Sequence, residues 1–218
     1  TKKSLMKYSY DLVIVTTTFF GLYGTVADGE YRKRLFLDEV DSLSVADKNG
    51  LRIVWLIHDD VSPEFPEIEV AGVDVFIVRS KEKLGYAGAI LLAIDRAIKF
   101  APIVLTLDSD GLIAKDCLPR LWDLQRHYPQ QKIFGTFNTR YHHTLEDRGD
   151  HVMKESLCEH GVLFHGSLWL GNRPNYALLA NLKCEGPFPC LKPSGVQHTG
   201  QYGLNGTMDD FDPDFKVD

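Results

Sequence analysis

The sequence predicts an α/β fold in which a mostly parallel β-sheet is flanked by helices. Three observations carry this prediction. Several short segments are apolar at every position, which is typical of strands buried on both faces. Segments with helical spacing of apolar residues separate these strands. Polar residues follow the strands at their carboxyl ends, which is where ligands bind to sheets of this kind.

The first half of the chain alternates in the order strand, helix, strand, strand, helix, strand. The strands are rich in β-branched and aliphatic residues. The first helix has apolar residues near helical spacing, and the second is rich in Ala, Leu and Ile. We expect strands at residues 11–19, 51–57, 73–79 and 102–107, and helices at 28–44 and 86–101.

The second half is less regular. We expect helices at 116–128 and 175–183, strands at 132–140 and 159–170, and a short strand near Val196. The polar segment 141–156 predicts a mobile loop, and the acidic tail, 207–218, a frayed end. Since no Pro/Ser/Gly-rich linker interrupts the chain, residues 1–218 are expected to form one domain.

Composition excludes several classes of protein. The 218 residues are 44% hydrophobic and 25% charged, as in ordinary globular domains, and the net charge of −6 gives no attraction to nucleic acid or anionic lipid. No apolar run approaches the roughly 20 residues of a transmembrane segment. The four widely spaced cysteines favour reduced thiols and a cytoplasmic protein. A zinc site formed by Cys184, Cys190 and His198 is the alternative.

The fourth strand ends in the sequence LTLDSDG, which places Asp108 and Asp110 on either side of Ser109. Alternate residues of an extended segment point the same way, so both carboxylates can face one cation. Hard oxygen ligands suit Mg²⁺ or Mn²⁺. In the alternative interpretation, Asp108 or Ser109 caps the next helix and Gly111 lies in a turn.

Other polar residues follow the remaining strands or begin a helix. Asp59 and Asp60 end the second strand and can accept hydrogen bonds from a base or a ribose, or lie in an exposed turn. Gly85 and Gly88 lead into the second helix, where free N–H groups attract an anion, or they allow a tight turn and close packing. His198 is either a ligand for an ion such as Mn²⁺ or a structural residue.

Taken in order, five segments resemble glycosyltransferase family 2, whose members have the GT-A fold and use nucleotide-sugar donors. The resemblance covers about residues 10 to 205. It rests on the segments VIVTTTFFG, IHDDVSPE, LGYAGA, VLTLDSDG and PSGVQHTG. It implies a nucleotide-binding half at about 10–128 and an acceptor-side half at about 129–206.

The resemblance also implies roles for individual residues. Asp110 would contact the cation directly, Asp108 would contact the cation or the ribose, and His198 would complete the ligands of Mn²⁺ or Mg²⁺. The cation would assist departure of the diphosphate. The implied nucleotide-sugar-binding residues are Thr16, Thr18, Asp59, Asp60, Lys83, Gly85, Asp108 and Ser109.

The catalytic base is less clearly marked. The family carries a Glu-Asp pair whose Asp deprotonates the acceptor hydroxyl in an inverting displacement. Asp147 belongs to the one such pair after the D-x-D motif, Glu185 has a better position along the chain, and Glu159 is a third candidate. The chain also departs from the family at Ile90-Leu91, where Arg-Asn is usual.

These features predict a metal-dependent enzyme that moves a sugar from a UDP- or GDP-type donor to an acceptor hydroxyl. The resemblance implies inversion, and a retaining enzyme is the alternative. The acceptor stays open among glycans, lipids, proteins, small molecules and nucleic acids. The first alternative is a nucleotidyltransferase that forms a nucleotide-sugar, although no basic residue follows the first strand before Arg32. The second is an inactive nucleotide- or sugar-binding module.

Overall fold

The computed structural model describes residues 8–21, 29–171, 182–183, 185–199, 212 and 214–217. Within these residues the chain forms eleven strands and three α-helices. The strands are β1 Leu12–Thr18, β2 Ile53–Asp59, β3 Val73–Arg79, β4 Ile103–Asp108, β5 Gly111–Ile113, β6 Ile133–Gly135, β7 Thr144–Asp147, β8 His151–Lys154, β9 Val162–His165, β10 Phe188–Leu191 and β11 Val196–His198. The helices are α1 Gly29–Val45, α2 Gly85–Ala97 and α3 Cys117–His127.

Nine of the described strands form one sheet in the order β3-β2-β1-β4-β9-β6-β10-β8-β7. The strands β3, β2, β1 and β4 are parallel neighbours. Strands β9 and β8 run opposite to the other seven. The predicted α/β class with a mostly parallel sheet and flanking helices is therefore confirmed.

Helices cover both faces of the sheet. In β1, Leu12 and Ile14 face a core shared with α1 and α3, whereas Val13 and Val15 face a core shared with α2. Every residue of β1 and β2 is buried, which explains their uninterrupted apolar sequence. Because alternate residues of a strand lie on the same face, Thr16 lies on the face of β1 that Leu12 and Ile14 present to α1.

The prediction of a mobile loop at 141–156 is wrong. Strands β7 and β8 form an antiparallel hairpin at the outer edge of the sheet. All four residues of β7 are exposed, so its sequence lacks the alternation that marks a half-buried strand. Its strand conformation comes from backbone pairing with β8, which no local sequence pattern reveals.

Strand β5 was not predicted, and it pairs with β11 in a separate two-stranded sheet. Its register places His198 opposite Gly111, directly after Asp110 in the chain. Thr199 strengthens the join, because its N–H and its hydroxyl both donate to the Asp110 carbonyl, at 2.9 and 2.8 Å. The predicted short strand near Val196 is thus confirmed and joins distant parts of the chain.

Several predictions concern residues outside the described ranges. Most of the expected helix at 175–183 lies there, as does Cys184 of the zinc alternative.

Cys190 is fully buried in β10, and burial raises the pKa of its thiol to about 12, which does not favour a thiolate ligand. In the acidic tail, Asp212 accepts a hydrogen bond from the Ser194 N–H at 2.8 Å, so this described residue is anchored and not frayed. No helix among the described residues has the length and apolar character needed to cross a membrane.

Candidate active site

Three potential metal ligands meet at the carboxyl edge of the parallel strands. Asp108 ends β4, Asp110 lies in the following turn and His198 ends β11. One ligand atom from each residue lies within 4.8 Å of the others. His198 Nε2 is 3.0 Å from Asp110 Oδ1. The pairing of β5 with β11 therefore brings His198 to the two aspartates, although His198 lies 90 residues after Asp108 in the sequence.

The alternative role of Asp108 or Ser109 as a helix cap is wrong. The turn at 109–110 leads into β5, and α3 begins only at Cys117, after Asp116 at its N-cap position. The two carboxylates are therefore placed by a strand–turn–strand segment. Neither carboxylate is positioned to accept hydrogen bonds from the first N–H groups of α3.

Asp108 is held by groups from two neighbouring segments. The Tyr86 hydroxyl donates to its Oδ1 at 3.0 Å, and the backbone N–H of Asp108 donates to His160 Nδ1 at 3.1 Å. Burial alone would raise the pKa of Asp108, but the imidazoles of His160 and His198 and the Tyr86 hydroxyl outweigh it and lower the pKa to about 2. Asp108 is therefore an ionised, oriented carboxylate at neutral pH.

The two aspartates at the end of β2 organise the turns around the site. Asp59 is fully buried and accepts hydrogen bonds from the Thr18 hydroxyl, the Ser62 N–H and the Arg79 guanidinium. Asp60 accepts the N–H groups of Leu84 and Gly85 at 2.7 and 2.9 Å. Asp60 thus ties the end of β2 to the start of α2, where Gly85 has a φ of +72° that favours glycine.

A cation and an aromatic ring lie in the segments just after β1 and just before α2. Lys83 Nζ lies 3.7 Å from the centroid of the Phe19 ring, a cation–π distance. Tyr86, one residue after Gly85, reaches across to Asp108. The predicted residues Lys83 and Gly85 therefore lie on the segment that contacts the metal-ligand cluster, through Tyr86.

A buried carboxyl group lies behind the ends of β1 and β2. The Thr16 hydroxyl accepts from Trp55 Nε1 at 2.9 Å and donates to Glu39 Oε1 at 3.1 Å. Glu39 is fully buried in α1, and its Oε2 has no hydrogen-bond partner among the described residues. Burial, with the charges of Asp110 and Asp108, raises the pKa of Glu39 well above 4.5.

Replacing Glu39 with glutamine is expected to make the free energy of unfolding fall less steeply as the pH rises. Because the folded-state pKa is raised, the folded chain keeps a proton that the unfolded chain releases above pH 4.5. Between these two pKa values the free energy of unfolding falls by up to about 1.4 kcal/mol per pH unit. Glu39→Gln stays neutral and can accept from Thr16. Denaturant unfolding from about pH 5 to pH 9 checks this, and equal slopes for both proteins would contradict it.

The structure separates the three candidates for the catalytic base. Glu159 is half-buried beside His160, and its charge helps to raise the pKa of Tyr86, after burial and Asp108. Asp147 ends β7, five strand positions from β4, which corresponds to about 24 Å at 4.8 Å per spacing. It is exposed and pairs with Lys192 at 2.5 Å. The structure therefore does not bring Asp147 to the metal-ligand cluster.

Glu185 is also remote from Asp108. It precedes β10, which runs parallel to β6 and in the same direction as β4. The residues before β10 therefore lie at the amino edge of the parallel strands, opposite the edge that carries Asp108. The spacing along the sequence favoured Glu185 as the base, but the strand direction of β10 places it at the edge opposite Asp108.

Three residues of the site were not selected from the sequence. Glu39 could have been noticed, because it lies on the same helical face as Phe36, Val40 and Leu43 and interrupts an apolar stripe. Tyr86 lies within the LGYAGA segment but looks like an ordinary aromatic residue. His160 carries no local signal apart from preceding a buried strand.

Comparisons with solved structures identify the same fold. A structure of residues 1–349 of TarS from S. aureus matches with a TM-score of 0.59 and 12% identity, over 88% of this chain and 61% of that one. The same fragment in complex with UDP-GlcNAc gives a TM-score of 0.58 and 12% identity, over 88% and 60%. Its complex with UDP matches with a TM-score of 0.50 and 14% identity, over 72% of this chain and 47% of that one. The chain thus spans about three fifths of the TarS fragment at most.

The sequence itself supplies the family. No curated protein matches the chain significantly. The profile described as glycosyl transferase family 2 matches residues 43–195, which is more than half of the 218 residues. The match includes β2, the start of α2 and the D-x-D turn, and ends just before β11. The chain therefore belongs to glycosyl transferase family 2, a family of glycosyltransferase enzymes.

Proposed function

We propose that this protein transfers a sugar from a UDP- or GDP-type donor to an acceptor hydroxyl, with Mn²⁺ or Mg²⁺ held by Asp108, Asp110 and His198. One observation carries the proposal: the three ligand atoms converge within 4.8 Å at the carboxyl edge of the parallel strands. Family membership supplies the reaction class.

The donor atoms of this cluster fit a hard or borderline divalent cation. Two carboxylates and one imidazole suit Mn²⁺ well, and carboxylates with water suit Mg²⁺. When bound, such a cation would stabilise the negative charge that develops on the departing nucleoside diphosphate. The protein itself keeps Asp108 ionised and oriented. Tyr86 donates to its carboxylate, and His160 accepts its backbone N–H.

Lys83 and Gly85, two of the residues proposed to bind the donor, lie on the segment that leads to Tyr86 and its contact with Asp108. Lys83 supplies a positive charge near Phe19, and the Gly85 turn begins α2 beside Asp60. TarS, which shares the fold, forms complexes with UDP-GlcNAc and with UDP. A uridine nucleotide is therefore the first donor to test. Thr16, Thr18 and Asp59 would act indirectly, because their side chains bind other protein groups.

Glu159 is the proposed base of an inverting transfer. Of the three acidic candidates, it is the one directly before His160, whose Nδ1 accepts the Asp108 N–H, and its charge also acts on Tyr86. A base must reach the acceptor hydroxyl beside the donor's reacting carbon. A position next to the metal-ligand cluster supports this role, and the remote positions of Asp147 and Glu185 do not.

Calorimetric titration with UDP and GDP, each with Mn²⁺ and with EDTA, tests the proposal. We expect at least one nucleotide to bind with an affinity that falls strongly when the cation is removed. Failure of both nucleotides to bind under either condition would rule out the proposed donor class. Slow release of UDP or GDP from a donor sugar then separates an active transferase from a binding module, which shows no turnover.

A further inference from the structure

His160 lies where strand β4 stops pairing with β9. The last paired residues are Leu105 and Leu163, and beyond them the Gly161 N–H donates to the Thr106 carbonyl at 3.0 Å. At the next position the Asp108 N–H donates to His160 Nδ1 at 3.1 Å. The imidazole thus takes the place of a backbone acceptor and fixes the last residue of β4. The imidazole therefore holds Asp108 on the side away from β1, and on the β1 side Asp108 pairs with Thr17.

The same ring contacts the surroundings of all three proposed metal ligands. His160 Nδ1 is 3.4 Å from Asp108 Oδ2. Its ring meets the His198 ring edge to face, with centroids 5.4 Å apart and planes at 89°. It also packs against Gly111, which follows Asp110: a Cβ at that position would lie only 2.6 Å from His160 Cε1. A glycine is therefore needed where the ring approaches the backbone.

The hydrogen bond from Asp108 assigns the proton of the neutral ring. Since Nδ1 accepts an N–H, the proton lies on Nε2. Nε2 is buried and has no hydrogen-bond partner among the described residues. Burying an unpaired polar nitrogen is unfavourable, and an apolar side chain would fill this space without that cost. Packing alone therefore does not account for a histidine here, whereas the acceptor at Nδ1 does.

We infer that His160 is a positioning residue that holds Asp108 in its metal-binding orientation through Nδ1, without itself binding the cation. This inference rests on the proposed metal-dependent function. His160 does not join the three residues whose ligand atoms converge within 4.8 Å. It acts through the backbone N–H of Asp108, in the way that groups around a metal site orient the residues that bind the metal.

Three substitutions at one position test the role of Nδ1. The side-chain oxygen of His160→Asn lies close to the place of Nδ1 and can accept the Asp108 N–H. His160→Gln instead places its amide nearer to the place of Nε2, and His160→Leu offers no acceptor. We expect the leucine and glutamine variants to lose about 10- to 100-fold in Mn²⁺ affinity, measured by calorimetry in the presence of UDP. The asparagine variant should stay within about threefold of wild type.

Gly111→Ala provides a second variant, because the new Cβ would lie 2.6 Å from His160 Cε1 and must displace the ring. The same Cβ would lie 3.2 Å from the Asp108 carbonyl oxygen, so this variant supports the His160 series and does not replace it. It should lower Mn²⁺ affinity in the same direction as His160→Leu. Thermal unfolding of each variant shows whether the fold persists. His160→Leu removes the unpaired Nε2, so we expect this variant to remain folded. A loss of Mn²⁺ affinity in it can then be attributed to the missing acceptor.

The possible failures are distinguishable. If wild type binds Mn²⁺ and UDP but His160→Leu binds Mn²⁺ equally well, the inference is wrong and the proposed function stands. If the asparagine variant is as weak as the leucine variant, Nδ1 is not the atom responsible. If wild type itself binds no Mn²⁺, the proposed metal dependence fails before any variant is considered.

Discussion

Asp110→Asn is expected to abolish the metal-dependent part of UDP or GDP binding and to slow donor turnover by about 1,000-fold or more. The substitution keeps the size of the side chain but removes the charge that faces His198 Nε2 at 3.0 Å. A cation contributes several kcal/mol of charge stabilisation to a reaction of this type, and each 1.4 kcal/mol or so is a factor of ten in rate. Calorimetry with Mn²⁺ and the release of nucleotide from a donor sugar measure the two effects.

A matched control for Asp110→Asn is Asp123→Asn, which removes one carboxylate from the exposed surface of α3. Asp123 pairs only across the helix surface with Arg126 in the contacts observed, and its side chain is 66% exposed. We expect it to leave both measurements unchanged. Wild-type affinity for nucleotide with Mn²⁺ in the Asp110 variant would exclude Asp110 as a metal ligand.

Glu159→Gln should lower donor turnover by about 100- to 10,000-fold while leaving nucleotide and Mn²⁺ binding near wild type. The amide keeps the shape of the side chain but cannot accept a proton from an attacking hydroxyl. Because the acceptor is not identified, donor hydrolysis is the reaction to follow, with water as the nucleophile. Steady-state release of UDP or GDP gives the turnover, and calorimetry gives the binding.

The other two candidates supply the controls for this experiment. Asp147→Asn alters an exposed ion pair with Lys192, and Glu185→Gln alters an exposed residue before β10. Neither substitution should change donor hydrolysis by more than about twofold, as expected of surface substitutions away from the site. A large loss in either control, with normal turnover in Glu159→Gln, would reassign the base.

The carboxyl-edge site was partly predictable because its main elements are local. Strand β3 was predicted with its observed bounds, and β1, β2 and β4 within two residues at each end. Central parallel strands carry their own signal, since burial on both faces requires apolar residues at every position. Asp108 and Asp110 were likewise visible in the sequence, because alternate residues at the end of an extended segment point the same way.

The partners of these carboxylates were less predictable. Strand β5 has only three residues, and its strand conformation depends on pairing with β11 far along the chain. His160 meets Asp108 across the β4–β9 pair, and Glu39 lies behind Thr16 through the packing of α1 on the sheet. Contacts of this kind depend on sheet order and register, which periodicity within one segment does not specify.

Local patterns in the sequence were enough to predict the α/β class, the parallel half of the sheet, the family and the residues Asp108, Asp110 and His198 as metal-ligand candidates. The surroundings of these residues came from the folded chain, which brings His198 beside Asp110, places His160 and Tyr86 in contact with Asp108, and separates Glu159 from Asp147 and Glu185. The physical reason is that local composition records whether a segment is buried, whereas the neighbours of a side chain depend on strand order, strand direction and register across the whole sheet.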